Sequence, residues 1–533
     1  MRFLTLLLGL SIASLLSGNS PAEAGCSGSG TTWSCTAGTT AAEINSAISL
    51  AADGATITLQ AGSYSATGID IGPRNGITII CATKGACTFT ASGDVFVSDH
   101  SCPSARTNLM RISGMNFTGG SGGTAKIFLV CAYGQTWSKV RIDNNHFYNL
   151  GEGSIAILLG AAGRYAAMYG VVDHNEFGNG ADANFIGFKN MEGGDSQDWL
   201  IDKHGTSSAM FFEDNYCHFG TDNPSAGGCI DSWQASSLVF RFNTLVNSRY
   251  VTHSYCHNGP YLQETYYNDI SQPNSSPANY RNLHYQGSGE IIAFNNRIVG
   301  GHFAIQHFRA DSSTATSEGN CNSVANGTVA IDGNRSPTSA YYGYPAWHQP
   351  GRDGKGKLRP IYDFRNFDQT NTLVVADFES GLWTGSGANC ADSDSGRINC
   401  HIRKNRDIYQ SVSLASQTSQ SNPFNGTMGV GHGTLANRPS TCTTTPEALD
   451  AGNGGVGYWC TDCGNWNTST SNSRGVQANG ASGQLYVCTA TNTWSLYYTP
   501  YTYPHPLVSG GGGGTGGSGT TAPPPAPSNL TVQ

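Results

Sequence analysis

The sequence predicts an all-β solenoid, in which one chain coils so that its short strands stack into parallel sheets. A short unit of alternating apolar and polar residues recurs along the chain, and an Asn stands at the same place in each copy. The spacings between these Asn residues, starting from Asn145, are 30, 40, 28, 25 and 28 residues. Alternation with a period of two is typical of strands. Repeats of this length with two or three strands each fit a coiled parallel sheet.

The repeated Asn has a structural explanation. Placed once per coil, its side-chain amide would bond to the coils above and below and form an internal ladder. The copies run over Val140–Phe147, Val171–Phe177, Phe211–Cys217 and Val239–Leu245, and further copies are centred on Asn268 and Asn296. The apolar positions that we expect to be buried are Ile142, Val172, Phe212, Phe240 and Ile298.

Composition excludes several other classes. Only 12% of the 533 residues are charged and 38% are hydrophobic, whereas an average soluble protein has about 25% charged residues. The chain is too polar for a polytopic membrane protein and too rich in apolar residues to be disordered. A net charge of −8 gives no electrostatic case for binding nucleic acid. The Leu pattern of leucine-rich repeats is missing, and propeller blades are longer, at about 40–45 residues.

The segment before the repeats predicts a helical cap. Thr40 and Glu43 have the spacing of a capping box, and Ile44 and Ile48 would share one face of the helix that follows. Asp53-Gly54 then turns the chain into a first strand. With the repeats, this entry resembles the right-handed parallel β-helix proteins of the pectate-lyase-like superfamily. The resemblance covers residues 38–375 and implies that fold, but one such solenoid hosts many chemistries.

The chain divides into four predicted segments. Residues 1–24 read as a signal peptide cleaved after Ala24, which predicts a secreted or cell-surface protein. Residues 25–375 form the β-helix with its cap, and residues 376–508 form a C-terminal β-rich extension. Residues 509–533 are a Gly/Ser/Pro linker tail that offers a point of attachment. No membrane span is expected in the mature chain.

Sixteen Cys residues in an exported chain indicate disulfide bonds. Close spacing favours the pairs Cys26–Cys35, Cys81–Cys87 and Cys390–Cys400, and it suggests Cys217–Cys229 and Cys460–Cys488. Cys460 and Cys463 have CxxC spacing, but no second pair completes a zinc site.

The strands that follow each repeated Asn bring polar and aromatic residues into one column. Coils of a parallel solenoid stack about 4.8 Å apart, so outward residues of neighbouring coils would be adjacent. A slip of one residue in this alignment would turn the side chains inward. The column holds Lys189, Asp231, Trp233, His253, Tyr255, His284, His307 and Arg309, with Tyr285 beside it and Arg249 in a preceding turn.

This column has the chemistry of a sugar-binding groove with acid–base groups. Trp233 and Tyr255 would offer flat faces to pyranose rings, and Arg249, His284 and Tyr285 would also bind substrate. Arg309 or Lys189 would pair with a uronate carboxylate. His253 would be the base, with His307 or Lys189 as substitutes, and Tyr255 would protonate the leaving oxygen. Asp231, with Asp222 or Asp214, could hold Ca²⁺.

The first functional hypothesis is therefore a lyase that cleaves a uronate-containing polysaccharide by β-elimination. The alternative is a non-catalytic carbohydrate-binding or structural protein of the cell surface or matrix, whose partner is a glycan and whose outward column is a solvated face. A glycoside hydrolase needs two carboxyl groups about 5–10 Å apart. Asp143, Asp173 and Glu213 stand at equivalent repeat positions, but they favour a solvated stripe or a Ca²⁺ site.

Overall fold

The computed structural model shows a chain wound into coils that stack into three parallel sheets. Strands are numbered along the chain. The structure describes residues 25–98, 106–120, 124–131, 135–160, 167–178, 186–191, 204–220, 228–233, 236–252, 260–272, 281–286, 289–306, 351, 358–378, 404–411, 424–444, 454–469 and 482–509.

Sheet A contains the strand that precedes the repeated Asn in each coil. All its neighbouring pairs run parallel except β1 and β2. Its strands, in spatial order, are β1 (Cys26–Ser29), β2 (Thr32–Cys35), β3 (Ala55–Leu59), β6 (Ile77–Cys81), β9 (Met110–Ser113), β12 (Thr136–Asp143), β15 (Ala167–Asp173), β18 (Met210–Glu213), β21 (Ser237–Arg241), β24 (Leu262–Tyr266), β27 (Glu290–Phe294), β30 (Ile361–Phe364) and β32 (Ile408–Gln410).

Sheets B and C complete each coil with one further strand apiece. Sheet B contains β4 (Gly62–Tyr64), β7 (Cys87–Thr90), β10 (Met115–Thr118), β13 (His146–Phe147), β16 (Glu176–Phe177), β19 (Tyr216–His218), β22 (Thr244–Val246), β25 (Asp269–Ser271) and β28 (Arg297–Val299). Sheet C contains β5 (Ile69–Asp70), β8 (Phe96–Ser98), β11 (Ala125–Leu129), β14 (Ile155–Leu159), β17 (Ile186–Met191), β20 (Gly228–Trp233), β23 (Tyr250–Thr252), β26 (Arg281–Gln286), β29 (His302–Gln306) and β31 (Asp377–Phe378). The predicted all-β parallel β-helix is confirmed.

The interior of the solenoid is a stack of apolar side chains. Phe117, Phe147 and Phe177 stack on one another, with ring centroids 4.8 and 5.2 Å apart. The stack continues through Phe212 to Phe240. Because the coils are evenly spaced, the same side chain at the same place in each coil packs against its copies. The five positions expected to be buried, Ile142, Val172, Phe212, Phe240 and Ile298, are all buried.

The repeated Asn residues form the predicted ladder. From Asn175 onward, each side-chain oxygen accepts two hydrogen bonds from the Asn of the preceding coil, one from its backbone N–H and one from its Nδ2. At Asn215, for example, Oδ1 lies 2.9 Å from Asn175 N and 3.1 Å from Asn175 Nδ2. The ladder runs through Asn145, Asn175, Asn215, Asn243, Asn268, Asn296 and Asn366, all buried.

A left-handed residue precedes the ladder Asn in each of these coils. Its φ lies between 52° and 57° in all seven positions, and three of them are the bulky Phe242, Tyr267 and Arg365. Such a backbone is costly for a residue with a large side chain, at about 1–3 kcal/mol. The ladder hydrogen bonds hold this turn in place. The seven positions are Asn144, His174, Asp214, Phe242, Tyr267, Asn295 and Arg365.

The ends of the solenoid differ from each other. Helix α1 (Ala41–Leu50) begins with the predicted capping box between Thr40 and Glu43, and it buries Ile44 and Ile48. At the other end, β31 and β32 pair in parallel with β29 and β30. The coils therefore extend past the predicted boundary at residue 375, to Gln410.

The described residues between 424 and 509, called the C-terminal module below, cover the outward face of the middle and later coils of sheet A. The module contains β33 (Val430–Gly433), β34 (Gly457–Cys460), β35 (Gln484–Ala490), β36 (Thr493–Tyr498), a short 3₁₀ turn at Leu435–Asn437 and the one-turn helix α2 (Pro506–Ser509). The face that it covers carries an apolar patch, in which Val171, Phe211, Val239, Ile292 and Phe294 cluster with Trp459 and Leu485 of the module.

Arginines of sheet A hold the last residues of the module. Arg241 is fully buried and donates to the carbonyl oxygens of Tyr501 and Thr502, at 2.6 and 2.9 Å. Arg141 donates to the carbonyl oxygen of Leu507 at 2.9 Å. These bonds join residues about 260 and 366 positions apart in sequence. Hydrogen bonds from charged arginine side chains to backbone oxygens thus join the module to the solenoid, and such bonds are among the stronger hydrogen bonds.

The acidic residues at equivalent ladder positions are not a solvated stripe or a Ca²⁺ site, and that prediction is wrong. Asp143, Asp173 and Glu213 are completely buried. Each carboxylate is paired with an arginine, because the module removes this face from water and a buried carboxylate needs a partner. Asp143 bonds to Arg111, Asp173 to Arg141 and Glu213 to Arg241.

Five disulfide bonds lie among the described residues. Cys26–Cys35, Cys81–Cys87 and Cys217–Cys229 form as predicted. The suggested pair Cys460–Cys488 is wrong, since Cys460 bonds to Cys463 and Cys442 to Cys488. Cys390–Cys400, the signal peptide at 1–24 and the tail from residue 510 lie outside the described residues. None of the helices in the described ranges is long and apolar enough to cross a membrane.

Asn215→Ala should lower the free energy of unfolding by several kcal/mol. The change leaves the buried backbone N–H of Asn175 without its acceptor and removes one of the three acceptors of Asn175 Nδ2. It also removes the hydrogen bonds that Asn215 itself donates to two backbone carbonyl oxygens, and each buried polar group left unpaired costs about 1–3 kcal/mol. Chemical denaturation followed by circular dichroism measures the loss. Asn116→Ala is the matched control, because Asn116 is half-buried and bonds only to the carbonyl of Gly85. Equal losses in the two variants would contradict a special role for the ladder.

Candidate functional site

The outward column of sheet C is partly assembled as predicted. In β17, β20, β23 and β26 the residues Phe188, Ile230, Tyr250 and Leu283 point into the core. Because side chains alternate along a strand, their successors face outward. Strand register places these successors side by side in the order Lys189, Asp231, Val251, His284.

Lys189, Asp231 and Trp233 form one contact cluster on this face. The Nζ atom of Lys189 lies 3.5 Å from Oδ2 of Asp231 and 4.2 Å from the centre of the Trp233 ring. The lysine side chain is 16% exposed and that of Asp231 is 5% exposed. A partly desolvated ammonium over an indole ring gains from both the carboxylate and the ring. The cluster therefore presents an aromatic ring of fixed orientation, with a positive charge over one of its faces.

The other predicted binding residues are distributed differently. His284 is buried, with 2% exposure, and is separated from Asp231 by Val251. Arg249 is half-buried, and its backbone carbonyl accepts a hydrogen bond from the N–H of Cys229. His253, Tyr255, His307, Arg309 and Asp222 lie outside the described residues.

The prediction that Tyr285 binds substrate is wrong. Its side chain is completely buried in the core, where its hydroxyl donates to Oγ1 of Thr265 at 2.6 Å. Burial raises the pKa of this phenol. The physical reason is alternation: since His284 faces outward, its neighbour must face inward.

The predicted metal ligands do not come together. Asp231 is on sheet C beside Lys189, whereas Asp214 lies in the turn between β18 and β19, under the C-terminal module. Both carboxylate oxygens of Asp214 accept the hydroxyl of Tyr503, at 2.9 and 3.0 Å. Asp231 and Asp214 therefore cannot share one Ca²⁺ ion. Among the described residues, Cys460, Asp462 and Cys463 form the one compact group of metal-ligand atoms, and its sulfurs are joined in a disulfide.

A buried acid–base cluster lies where the C-terminal module meets sheet A. His204 bonds to Oε2 of Glu290 at 3.1 Å, and the hydroxyl of Tyr497 donates to the other oxygen of Glu290. Tyr498 donates to Oε2 of Glu264 at 2.5 Å. Both glutamates are buried and the His204 side chain is 12% exposed, and the hydrogen bonds of the cluster fasten the module to sheet A.

Sequence reasoning missed this cluster for a physical reason. From the alternation within β24 and β27, one could have predicted that Glu264 and Glu290 face outward. Nothing in the repeats points to Tyr497 and Tyr498, since these partners stand 207 and 234 residues further along the chain.

Comparisons with known proteins give no finer assignment. No protein-family model matches the chain, and no curated protein matches it. A solved structure of a PL6 family polysaccharide lyase from Pseudopedobacter saltans is similar, with a TM-score of 0.20 and 12% identity, covering 73% of this chain and 95% of that chain. At that TM-score the likeness carries no weight for the activity. The strands themselves define the class: a parallel β-helix protein with a capping helix and a C-terminal β-module.

His204 and His505 should affect stability in opposite pH ranges. Burial opposes a charge on His204, but Glu290 outweighs it and raises its pKa to about 9. The stabilisation by His204 is then complete below the unfolded pKa of about 6.5 and is lost as the pH rises to about 9. In His204→Gln the free energy of unfolding should no longer fall over this pH range, whereas in the wild type it should fall by on the order of 2–3 kcal/mol. Urea denaturation at a series of pH values from about 4 to 9.5 measures it.

His505→Gln is the matched control. Burial, together with Arg241 and Arg141, lowers the pKa of His505 to about 3. Its stabilisation is present above pH 6.5 and is lost as the pH falls below that value. In this variant, the plot of the free energy of unfolding against pH should therefore become flatter only on the acidic side. Profiles of wild type and His204→Gln that run parallel above pH 6.5 would contradict the role given to His204.

Proposed function

We propose that this protein is an exported polysaccharide lyase that binds a uronate-containing chain along the outward face of sheet C and cleaves it by β-elimination. The observation that carries the proposal is the cluster of Lys189, Asp231 and Trp233 on that face. Five disulfide bonds fit an oxidising compartment outside the cytosol.

Binding would use the ring and the charge together. A pyranose ring packs its C–H face against an indole, and Trp233 is held in one orientation by Lys189. The ammonium group would attract the uronate carboxylate of the same or the next sugar. Arg249, half-buried in the turn before β23, would add a second cation at the edge of the groove, and His284 would lie further along the groove.

In the cleavage reaction, several residues of the column would each have a separate role. Neutralising the uronate carboxylate, by Lys189 and by Arg309, makes the neighbouring C5 proton more acidic. His253 then removes that proton, and the electron pair left behind forms the C4=C5 double bond. The C4–O bond breaks at the same time, and Tyr255 delivers a proton to the leaving oxygen. His307 is the substitute for His253.

One observation favours a second candidate, a non-catalytic polysaccharide-binding protein. Lys189 is already paired with Asp231, and His284 is buried. A paired cation still attracts an anionic chain, but it neutralises a developing charge less well than a free one. In this reading the column binds the glycan and does not turn it over.

Trp233→Ala and Lys189→Met should have different kinetic effects on a uronate polysaccharide. Stacking on Trp233 stabilises ground and transition states alike, so its loss should raise KM with little change in kcat. Loss of the Lys189 charge should lower kcat by about 10²-fold, the usual effect of removing one group that stabilises transition-state charge. A panel of uronate polysaccharides, followed by absorbance of the unsaturated product, measures both.

Lys139→Met is the control, because Lys139 is an exposed lysine on strand β12 of sheet A. It should leave both constants unchanged. Affinity electrophoresis in gels that contain the same polysaccharides separates the two candidates. If the polysaccharide retards the wild type but not Trp233→Ala, and no unsaturated product forms, the protein is the non-catalytic binding protein and not the lyase. Neither product nor retardation on any polysaccharide would overturn both.

A further inference from the structure

We infer that the outward face of the C-terminal module carries a second binding site for an anionic glycan, with Arg438, Tyr486 and Leu496 at its centre. The site is on the side of the module that faces away from sheet A, so it is separate from the groove on sheet C. The class of ligand rests on the proposed function, since the site would bind another stretch of the same uronate polysaccharide. Such a site would keep the protein on its polysaccharide while the groove releases one stretch and binds the next.

Strand alternation places Tyr486 on this outward face. Leu485 and Val487, its two neighbours in β35, are buried in the apolar cluster that joins the module to sheet A. The side chain between them therefore points away from sheet A, and it is half-buried. Leu496 is the partner of Tyr486 in β36 and is 53% exposed. An aromatic ring and an exposed apolar side chain thus lie next to each other on this face.

Arg438 brings a positive charge to the same place. It follows the 3₁₀ turn, and its Cζ atom lies 4.5 Å from the centre of the Tyr486 ring and 5.8 Å from that of Trp494. A guanidinium this close to two aromatic faces is attracted by both. Nη1 of Arg438 is buried and has no hydrogen-bond partner among the described residues. Aromatic faces thus hold this guanidinium in position and leave N–H donors for a ligand.

Hydrogen bonds around Arg438 hold the segment that carries it. Nε1 of Trp494 donates to the carbonyl oxygen of Pro439 at 2.7 Å, which joins the indole to the residue after Arg438. The hydroxyl of Tyr458 donates to the carbonyl oxygen of Thr434 at 2.7 Å, just before the 3₁₀ turn. The segment is therefore attached to the sheet of the module on both sides of the turn. A site whose groups are already fixed loses little conformational entropy when a ligand binds.

The chemistry of this face selects an anionic sugar. A guanidinium presents its N–H donors in one plane, which matches the two oxygens of a carboxylate. The sugar ring that carries the carboxylate would pack its C–H face against Leu496 and the edge of Tyr486. Each unit of a uronate chain offers both a carboxylate and a flat apolar face, whereas an acidic peptide offers only the carboxylate. Asp462, near the other end of the turn, accepts the N–H of Leu435 at 2.7 Å.

Isothermal titration with uronate hexasaccharides tests the inference. The probes are hexamers of galacturonate, mannuronate and glucuronate and their uncharged methyl esters, and His253→Ala is the background, so that cleavage does not consume the probe. This background should bind two molecules of at least one acidic hexamer. Adding Arg438→Met or Tyr486→Ala should remove one of the two sites. The methyl ester should bind there about tenfold more weakly, since it lacks the charge-assisted hydrogen bonds.

Two further variants serve as controls. Arg438→Lys keeps the charge but loses the planar fork, so it should retain the site with weaker binding than the background protein. Lys139→Met removes one positive charge from an exposed position on sheet A and should bind both molecules. A hexamer of glutamate tests the alternative occupant. If it binds at Arg438 as tightly as the acidic sugar does, the glycan is overturned as the ligand.

Trp233→Ala separates this inference from the proposed function. If Trp233→Ala removes one site while Arg438→Met and Tyr486→Ala bind as the background protein does, the inference is overturned and the groove on sheet C stands. If the two module variants remove a site and Trp233→Ala removes none, the inference stands and the groove is wrong. The inference is also overturned if no hexamer binds, or if the methyl ester binds as tightly as the acid.

Discussion

The Asn ladder is the interaction on which the rest of this structure depends. One amide oxygen accepts both the backbone N–H and the Nδ2 of the preceding ladder Asn, so each coil fixes the position of the next at a single point. Loops of very different length then leave and rejoin the solenoid without shifting the strands, as the 70-residue interval from Asn296 to Asn366 illustrates. The ladder also holds the left-handed turn before it, at residues such as Phe242 and Tyr267 that would not adopt that backbone readily alone.

The C-terminal module follows from what sheet A leaves exposed. Sheet A alternates like the other sheets, yet many of its outward positions in the middle coils are apolar, with Val171, Phe211 and Ile292 among them. Covering this face brings Glu213 and Arg241 out of water, and the ion pair between them, with Nη2 2.6 Å from Oε2, compensates for the lost hydration. The middle and later coils of sheet A are thereby unavailable for a ligand, and the outward faces of sheets B and C remain.

Local patterns in the sequence were sufficient to predict the solenoid. The contacts between segments that are distant in the sequence could not be predicted from them. The spacing of the Asn residues predicted the ladder, and the pair Thr40 and Glu43 predicted the capping helix, because both depend on neighbouring residues or on a repeat. Tyr285 was misplaced because its orientation depends on one position of register. The burial of Asp143 depends on a module that begins nearly 300 residues later in the chain, and no repeat or spacing refers to it.

A solenoid held by its interior leaves the outward residue of each coil free to differ from its copies. Function in such a fold is therefore set by which outward residues happen to be adjacent in neighbouring coils, and a single strand carries little information about it. On sheet C, adjacent coils bring Lys189 to Asp231 and Trp233. On sheet B they bring His146 and His218 to the two sides of Glu176. The same stacking pairs Arg297 with Asp269 on sheet B, so a complementary pair alone does not distinguish a ligand site from a surface ion pair, and the chemistry of the neighbouring groups has to do so.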